Sequence, residues 1–383
     1  MQSLLDVVRF GASAAVSVVL RRRVLNCLWE LTYRCNAKCS ICGYWKLPAR
    51  PDQELTLPQI QEGLRRVHAY GCRLINFTGG EPTLRRDLAD IIHSASQMGI
   101  WVSLVTNGSL LTRERLTELK HAGLDHLLVS LDSTEPGAHD RHRGIPGLHA
   151  RVLNCLRWMA EDFLTGHRTG GIMCAVSSTN ADQVRQVAEL AGRYGVYAVL
   201  QPYHRKKTGD PTLETSLPGD LVRVVHAQTL RETTFLNSKA YVAGMVRFCE
   251  GQTMPRCLAG RKYFSVDPYG NVHPCVDTPA AGHLLRDDLS VLRSERALRA
   301  VEACSGCWYC FRGEADSALT MSGYWEKVRL GLAVFRRNLS RSRRRQSARL
   351  TSGVLAPTQV APGPTMPKRL GLTARKATRS LAH

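Results

Sequence analysis

Cys35-Asn36-Ala37-Lys38-Cys39-Ser40-Ile41-Cys42 places three thiols in eight residues, directly after the apolar β-type run Asn26–Thr32. Soft thiolates at such spacing select an iron-sulfur cluster or zinc. A structural zinc site is normally closed by four ligands, whereas three cysteines on a cubane leave one iron open to a substrate. On spacing alone, a zinc knuckle with a distant fourth ligand competes with that reading.

Outward from this stretch, short β-rich runs alternate with amphipathic segments, the pattern of β-α units around a parallel sheet. Strands are predicted over Asn26–Thr32, Leu74–Thr78, Trp101–Thr106, His126–Leu131, Gly171–Val176 and Tyr197–Gln201. Helical periodicity follows the first five, near Leu57–His68, Asp87–Met98, Arg113–Ala122, Leu148–Glu161 and Ala181–Tyr194, and a weaker helix is predicted over Val222–Thr229. Residues 249–314 change character: they carry six of the thirteen cysteines and turn signals such as Asp267-Pro268-Tyr269-Gly270. Four parts result: an apolar and basic N-terminal helix (1–24), a β-α core (25–248), a cysteine-rich module (249–325) and a basic, partly disordered tail (326–383).

The formal charge of +20 suggests nucleic acid until it is located. Residues 326–383 hold fourteen Lys or Arg against Glu326 alone, a balance of +13, and residues 1–25 add +3, which leaves +4 for residues 26–325. The folded body is near neutral, so nucleic acid is a poor expectation for it. Thirteen cysteines in a chain of this length, without an export signal, fit a reducing cytoplasm, where clustered thiols read as metal ligands. The apolar run Gly11–Leu20 before Arg21–Arg23 falls short of a transmembrane helix. With Arg336–Arg349 it raises instead the expectation of peripheral contact with an anionic membrane face.

The C-x3-C-x2-C spacing after the first strand of a β-α series resembles the signature of the radical S-adenosylmethionine (SAM) superfamily. The resemblance implies that Cys35, Cys39 and Cys42 hold a 4Fe-4S cluster whose open iron binds SAM; Ile41 stands where an aromatic residue is common. Thr78-Gly79-Gly80-Glu81-Pro82 is similar to the family's G-G-E motif. Two glycines at the mouth of a strand let a ligand approach the backbone, and a carboxylate there can accept the ammonium of an amino acid. Gly79, Gly80 and Glu81 are therefore expected at the methionine end of SAM. Asn107, Ser130 and Asp132, at the ends of the third and fourth strands, are implied contacts of its ribose and carboxylate, although such residues also make ordinary turns. The donor-rich stretch His139–Gly144 reads as a solvated charged loop that can meet substrate or ligand carboxylates.

Cys257 and Gly270-Asn271-Val272-His273-Pro274-Cys275 have the C-x12-G-x4-C form of the superfamily's SPASM and Twitch extensions, in which a β-hairpin holds an auxiliary 4Fe-4S cluster. Cys304, Cys307 and Cys310 can complete it; Cys249 is a further candidate, and a structural zinc ribbon is the alternative. Cys27, Cys72, Cys155 and Cys174 read as core. The implied fold is a partial (β/α)6 TIM-like barrel with a small C-terminal iron-sulfur module. The implied reaction is reductive cleavage of SAM to a 5′-deoxyadenosyl radical that takes hydrogen from a small-molecule, lipid or peptide substrate. The electron would come from a donor such as flavodoxin or ferredoxin. A nucleic-acid-binding protein with structural zinc is the alternative from another class.

Overall fold

In the computed structural model, residues 26–215, 236–304 and 306–318 are described, together with parts of 325–341. The helices expected over 1–24 and Val222–Thr229, and the tail from 342 on, lie outside the described residues. All six predicted strands form: β1 (Asn26–Thr32), β2 (Leu74–Gly79), β3 (Trp101–Thr106), β4 (His126–Ser130), β5 (Thr169–Val176) and β6 (Tyr197–Pro202). They pair in parallel in the order β6-β5-β4-β3-β2-β1. Alternation along β1 sorts its side chains. Cys27, Trp29 and Leu31 are buried on the face that packs against helices, whereas Asn26 and Leu28 line a cavity inside the barrel.

The first of these helices, α1 (Leu57–Tyr70), shows how the layers form. A capping box joins Thr56 to Gln59, Pro58 stands in the first turn, and Gly71 ends the helix with φ 112°. Ile60, Leu64 and Val67 share one buried face. Each such side chain stabilises the fold by roughly 1.5–3 kcal/mol on burial. Helices α2 (Leu88–Gln97) and α3 (Arg113–Ala122) follow where the periodicity places them, and later in the chain come α5 (Leu148–Trp158) and α6 (Val184–Tyr194). With β1–β6 they make the expected partial (β/α)6 barrel.

One expectation is overturned here. The stretch read as a solvated loop is a helix, α4 (Pro136–Arg143), with His139 and Arg143 buried. Its composition hides it, since neither residue is apolar. The terminal signals were nonetheless present: Pro136 in the first turn and Gly144, at φ 68°, just past the end.

After α7 (Lys239–Cys249) the chain returns to the sheet. The strand β7 (Tyr263–Val266) pairs in parallel with β1, and β8 (Asn271–His273) and β9 (Gly282–His283) continue antiparallel. The predicted turn at Asp267–Gly270 forms, with the Asp267 carboxylate accepting from the backbone N–H of Tyr269 at 3.0 Å and of Asn271 at 2.8 Å. Helices α8 (Glu295–Glu302) and α9 (Cys310–Ala318) complete the module. Phe264, Val266, Val272 and Leu284 share one core with the barrel, while Ala259, Tyr263 and Val301 form a small cluster of their own. The module reaches both edges of the six-stranded sheet: β7 lies on β1, and Cys310 donates from its N–H to Gln201 on β6 at 3.2 Å.

Candidate active site

A cavity of about 520 Å³ occupies the barrel interior; Cys35, Cys39 and Cys42 stand on its wall with Gly79, Gly80, Glu81, Asn107 and Ser130. The cysteine loop is seated on the end of α4. The N–H of Lys38 donates to the Arg143 carbonyl at 3.2 Å and that of Ser40 to the His142 carbonyl at 3.0 Å. Trp45 Nε1 donates to the Cys39 carbonyl at 3.1 Å. Burial pushes the Cys35 thiol up to about 12 and also raises Cys39, opposed there by the Arg143 guanidinium. A cationic metal supplies the missing countercharge and displaces the protons, so a buried set of soft sulfur donors suits an iron-sulfur cluster. As the side chains stand, no group of three or more His, Cys, Asp or Glu among the described residues is drawn into closed metal geometry. The fit rests on the chemistry and placement of the three donors.

The glycines of the β2 loop serve a packing need that their reading as ligand approach did not include. A Cβ on Gly79 would stand 2.3 Å from the Thr32 carbonyl oxygen, and one on Gly80 2.2 Å from that of Arg34. With the side chains absent, the N–H of Gly80 donates to Thr32 at 2.7 Å and that of Glu81 to Arg34 at 2.8 Å. The glycines thus pin the chain entering the cysteine loop to the end of β2. Glu81 is buried and accepts from Thr83 Oγ1 at 2.5 Å, Thr106 Oγ1 at 2.7 Å and the N–H of Asn107 at 2.7 Å. Burial raises its carboxyl above the ordinary value despite these donors. Asn107 in turn donates from Nδ2 to Asn36 Oδ1 at 2.9 Å, joining β3 to the cysteine loop.

Asp132 is placed differently from its companions. It is absent from the cavity wall, and its carboxylate is bound by Arg143 on two edges, Nε at 2.6 Å and Nη2 at 2.8 Å. The N–H of Ala175 adds a third donor at 3.0 Å. Burial pushes this carboxyl up, but the Arg143 guanidinium and His142 bring it below its ordinary value. Arg143 Nη1 also lies 3.9 Å from Cys39 Sγ. Asp132 therefore acts on the site through Arg143, which the sequence reading had left in solvent.

The C-terminal cysteines are sorted by the fold. Cys257, Cys275 and Cys307 lie close enough that the neighbours Cys307 and Cys257 add to the upward shift of Cys275, whose main cause is burial. Cys257 Sγ lies 2.9 Å from Tyr263 Oη, and Arg312 Nη1 lies 3.9 Å from Cys307 Sγ. Cys304 instead accepts from Lys206 Nζ at 2.8 Å, and Cys310 Sγ turns to the Leu200 carbonyl at 3.0 Å. Cys249 is pushed up to about 12 by burial and by Glu250 and Glu214, with no cysteine acting on it. Cys27, Cys72, Cys155 and Cys174 are core residues, as expected.

Several residues at this end escaped the sequence reading. Glu30 is buried, accepts from Tyr44 Oη, and was signalled by an acid in an otherwise apolar strand. Glu54 receives Arg34 at 3.1 Å and Arg85 at 3.9 Å and so braces the loop after β1. Part of the expected basic tail lies among the described residues. Residues 336–341 are helical, Asn338 donates to the Gly166 and Arg168 carbonyls at 3.0 and 2.8 Å, and Arg337 lies over the Tyr197 ring at 5.1 Å. These groups are bound to the barrel. Among the described residues, no helix is long and apolar enough to cross a membrane.

The sequence profile of the radical SAM superfamily matches residues 29–191. The chain is 37% identical over 297 residues to the PqqA peptide cyclase of Bradyrhizobium diazoefficiens, covering 76% of this chain and 75% of that one. It is 29% identical over 283 residues to the AdoMet-dependent heme synthase of Methanosarcina barkeri, covering 68% of this chain and 78% of the relative. Among solved structures, SuiB of Streptococcus suis bound to S-adenosylmethionine matches with a TM-score of 0.58 at 13% identity, over 76% of this chain and 69% of that one. At that identity the likeness speaks for the fold.

Proposed function

Because the chain belongs to the radical SAM superfamily, we propose that it is a peptide-modifying member whose Cys35, Cys39 and Cys42 hold the catalytic 4Fe-4S cluster. The barrel cavity takes SAM and a peptide segment. One observation carries the reading: the three thiols share a single cavity wall with Glu81, Asn107 and Ser130 at the strand ends. The peptide assignment is supported by the 37% identity to a relative named a peptide cyclase.

The cluster, when bound, supplies the electron for reductive cleavage of SAM, and a flavodoxin- or ferredoxin-like partner reloads it. The chain's own residues position and shield. Glu81 presents a buried carboxylate, held by Thr83, Thr106 and Asn107, to the ammonium of the methionyl group. Asn107 and Ser130 offer polar contacts on the same wall. The Asp132–Arg143 pair fixes the Cys39 end of the loop. Tyr44 and Tyr309, also on the wall, narrow the space open to water. A second cluster on the C-terminal module is assigned to Cys257, Cys275 and Cys307 as core ligands, with the fourth position left to Cys304 or Cys310.

The test is 5′-deoxyadenosine release by the anaerobically reconstituted full chain with SAM and dithionite, in the presence of peptide, lipid or tetrapyrrole fractions. A peptide-dependent rise, with a mass change on one peptide, is expected. A response to tetrapyrrole or lipid alone would overturn the peptide assignment and leave the reaction class standing.

A further inference from the structure

Among the described residues, three Lys or Arg side chains reach the cavity wall: Arg143, Arg312 and Lys207. Two are directed to protein acceptors. Arg143 grips Asp132, and Arg312 donates to the carbonyls of Cys307, at 2.7 Å, and Pro255. Lys207 differs. Its Nζ lies 5.2 Å from the centre of the Tyr44 ring and 4.8 Å from that of Tyr309, and among the described residues no carboxylate stands within ion-pair distance of it. Glu30 feels its charge from farther away and is itself engaged by Tyr44. Cation–π contacts of this kind hold an ammonium without neutralising it.

The position is also built. The Lys207 carbonyl oxygen lies where a Cβ on Gly43 would come within 2.4 Å of it, so glycine at 43 admits the close approach. The N–H of Lys207 donates to the His204 carbonyl at 2.9 Å, and the His204 ring stacks on Phe248 at 5.4 Å. Lys207, half-buried, thus stands on an anchored turn between the loop that follows Cys42 and the segment from Cys307 to Cys310. A half-buried cation fixed on a cavity wall with no carboxylate beside it is a receptor for an anion that arrives with the ligand.

We propose that Lys207 receives a carboxylate of a molecule bound in the cavity. This rests on the reading of the cavity as the SAM and substrate site. The carboxylate has two possible sources, an acidic side chain of a peptide or the methionyl group of SAM, and the experiment separates them.

Dissociation constants are measured by calorimetry on the reconstituted holoenzyme, at about 0.15 M salt so that remote surface charge is screened. The chains are wild type, Lys207→Arg and Lys207→Met, each checked for equal iron content and melting temperature. One probe pair is acetyl-Glu-Glu-Glu-amide against acetyl-Gln-Gln-Gln-amide; the other is SAM against its decarboxylated analogue. In one pair, wild type and Lys207→Arg are expected to prefer the carboxylate-bearing probe by about tenfold, and Lys207→Met to lose that preference. Loss confined to the peptide pair places the carboxylate on the substrate; loss confined to the SAM pair places it on SAM. A wild type without preference in either pair, or preferences that survive Lys207→Met in both, overturns the proposal. Failure of wild type to bind SAM at all would instead defeat the reading of the cavity.

Discussion

The two cysteine regions solve the same problem in opposite ways. In the first, three cysteines fall within eight residues, and the surrounding fold has only to hold one loop, through the Gly79–Gly80 contact and the Asp132–Arg143 pair. In the second, five cysteines spread from 257 to 310 are brought in by the approach to β7, the end of the β7–β8 hairpin and the loop before α9. There the tertiary packing chooses. Cys257 and Cys307 each add to the upward shift of Cys275, whereas Cys304 accepts from Lys206 and Cys310 lies at the Leu200 carbonyl. Close spacing puts three thiols on one loop, whereas with distant spacing the fold decides which thiols meet.

The sharpest way to break this contrast is to compare single serines in the second region. Cys307→Ser should remove most of the auxiliary iron, measured as iron per chain after anaerobic reconstitution, while Cys310→Ser keeps the greater part. Equal losses would place Cys310 among the core ligands. Next in size is Asp132→Asn, which leaves the Arg143 guanidinium buried without its countercharge. Breaking such a pair costs about 3–5 kcal/mol. Denaturant melts should show the loss, and iron should fall at the first cluster and persist at the second.

Gly80→Ala probes the packing that pins the cysteine loop. Its Cβ would meet the Arg34 carbonyl, which cannot yield cheaply, and the cost is about 1–3 kcal/mol. Gly192→Ala, in helix α6 where a Cβ meets nothing within 4 Å, should be neutral or stabilising by up to about 1 kcal/mol. The Asp132 pair also sets a pH dependence. Its folded carboxyl lies below the ordinary 3.8, so its contribution is full above 3.8 and is lost as the pH falls through the lower folded value. Acid titration of apo-protein stability should show this slope in wild type and not in Asp132→Asn.

Periodicity and spacing carried the barrel well. Each strand of β1–β6 has a continuous apolar or alternating run, so local pattern and tertiary fold agree. The helix α4 was missed because its buried residues are His139 and Arg143, which no apolar period registers. The Asp132–Arg143 pair went unforeseen for the same reason, since Arg143 had been assigned to solvent. Lys207 gave no local signal, as its position depends on Tyr44 and Tyr309, residues far from it in sequence. The pairing of β7 with β1, more than two hundred residues apart, was likewise beyond a reading of local pattern, although the β7–β8 turn was not.

The most direct test of the central claim is 5′-deoxyadenosine formation by the Cys35→Ala, Cys39→Ala, Cys42→Ala triple variant, reconstituted anaerobically and reduced with dithionite in the presence of SAM. No product above the protein-free background is expected, with the auxiliary iron-sulfur absorbance retained. Formation at the wild-type rate would show that the reaction does not depend on these three thiols.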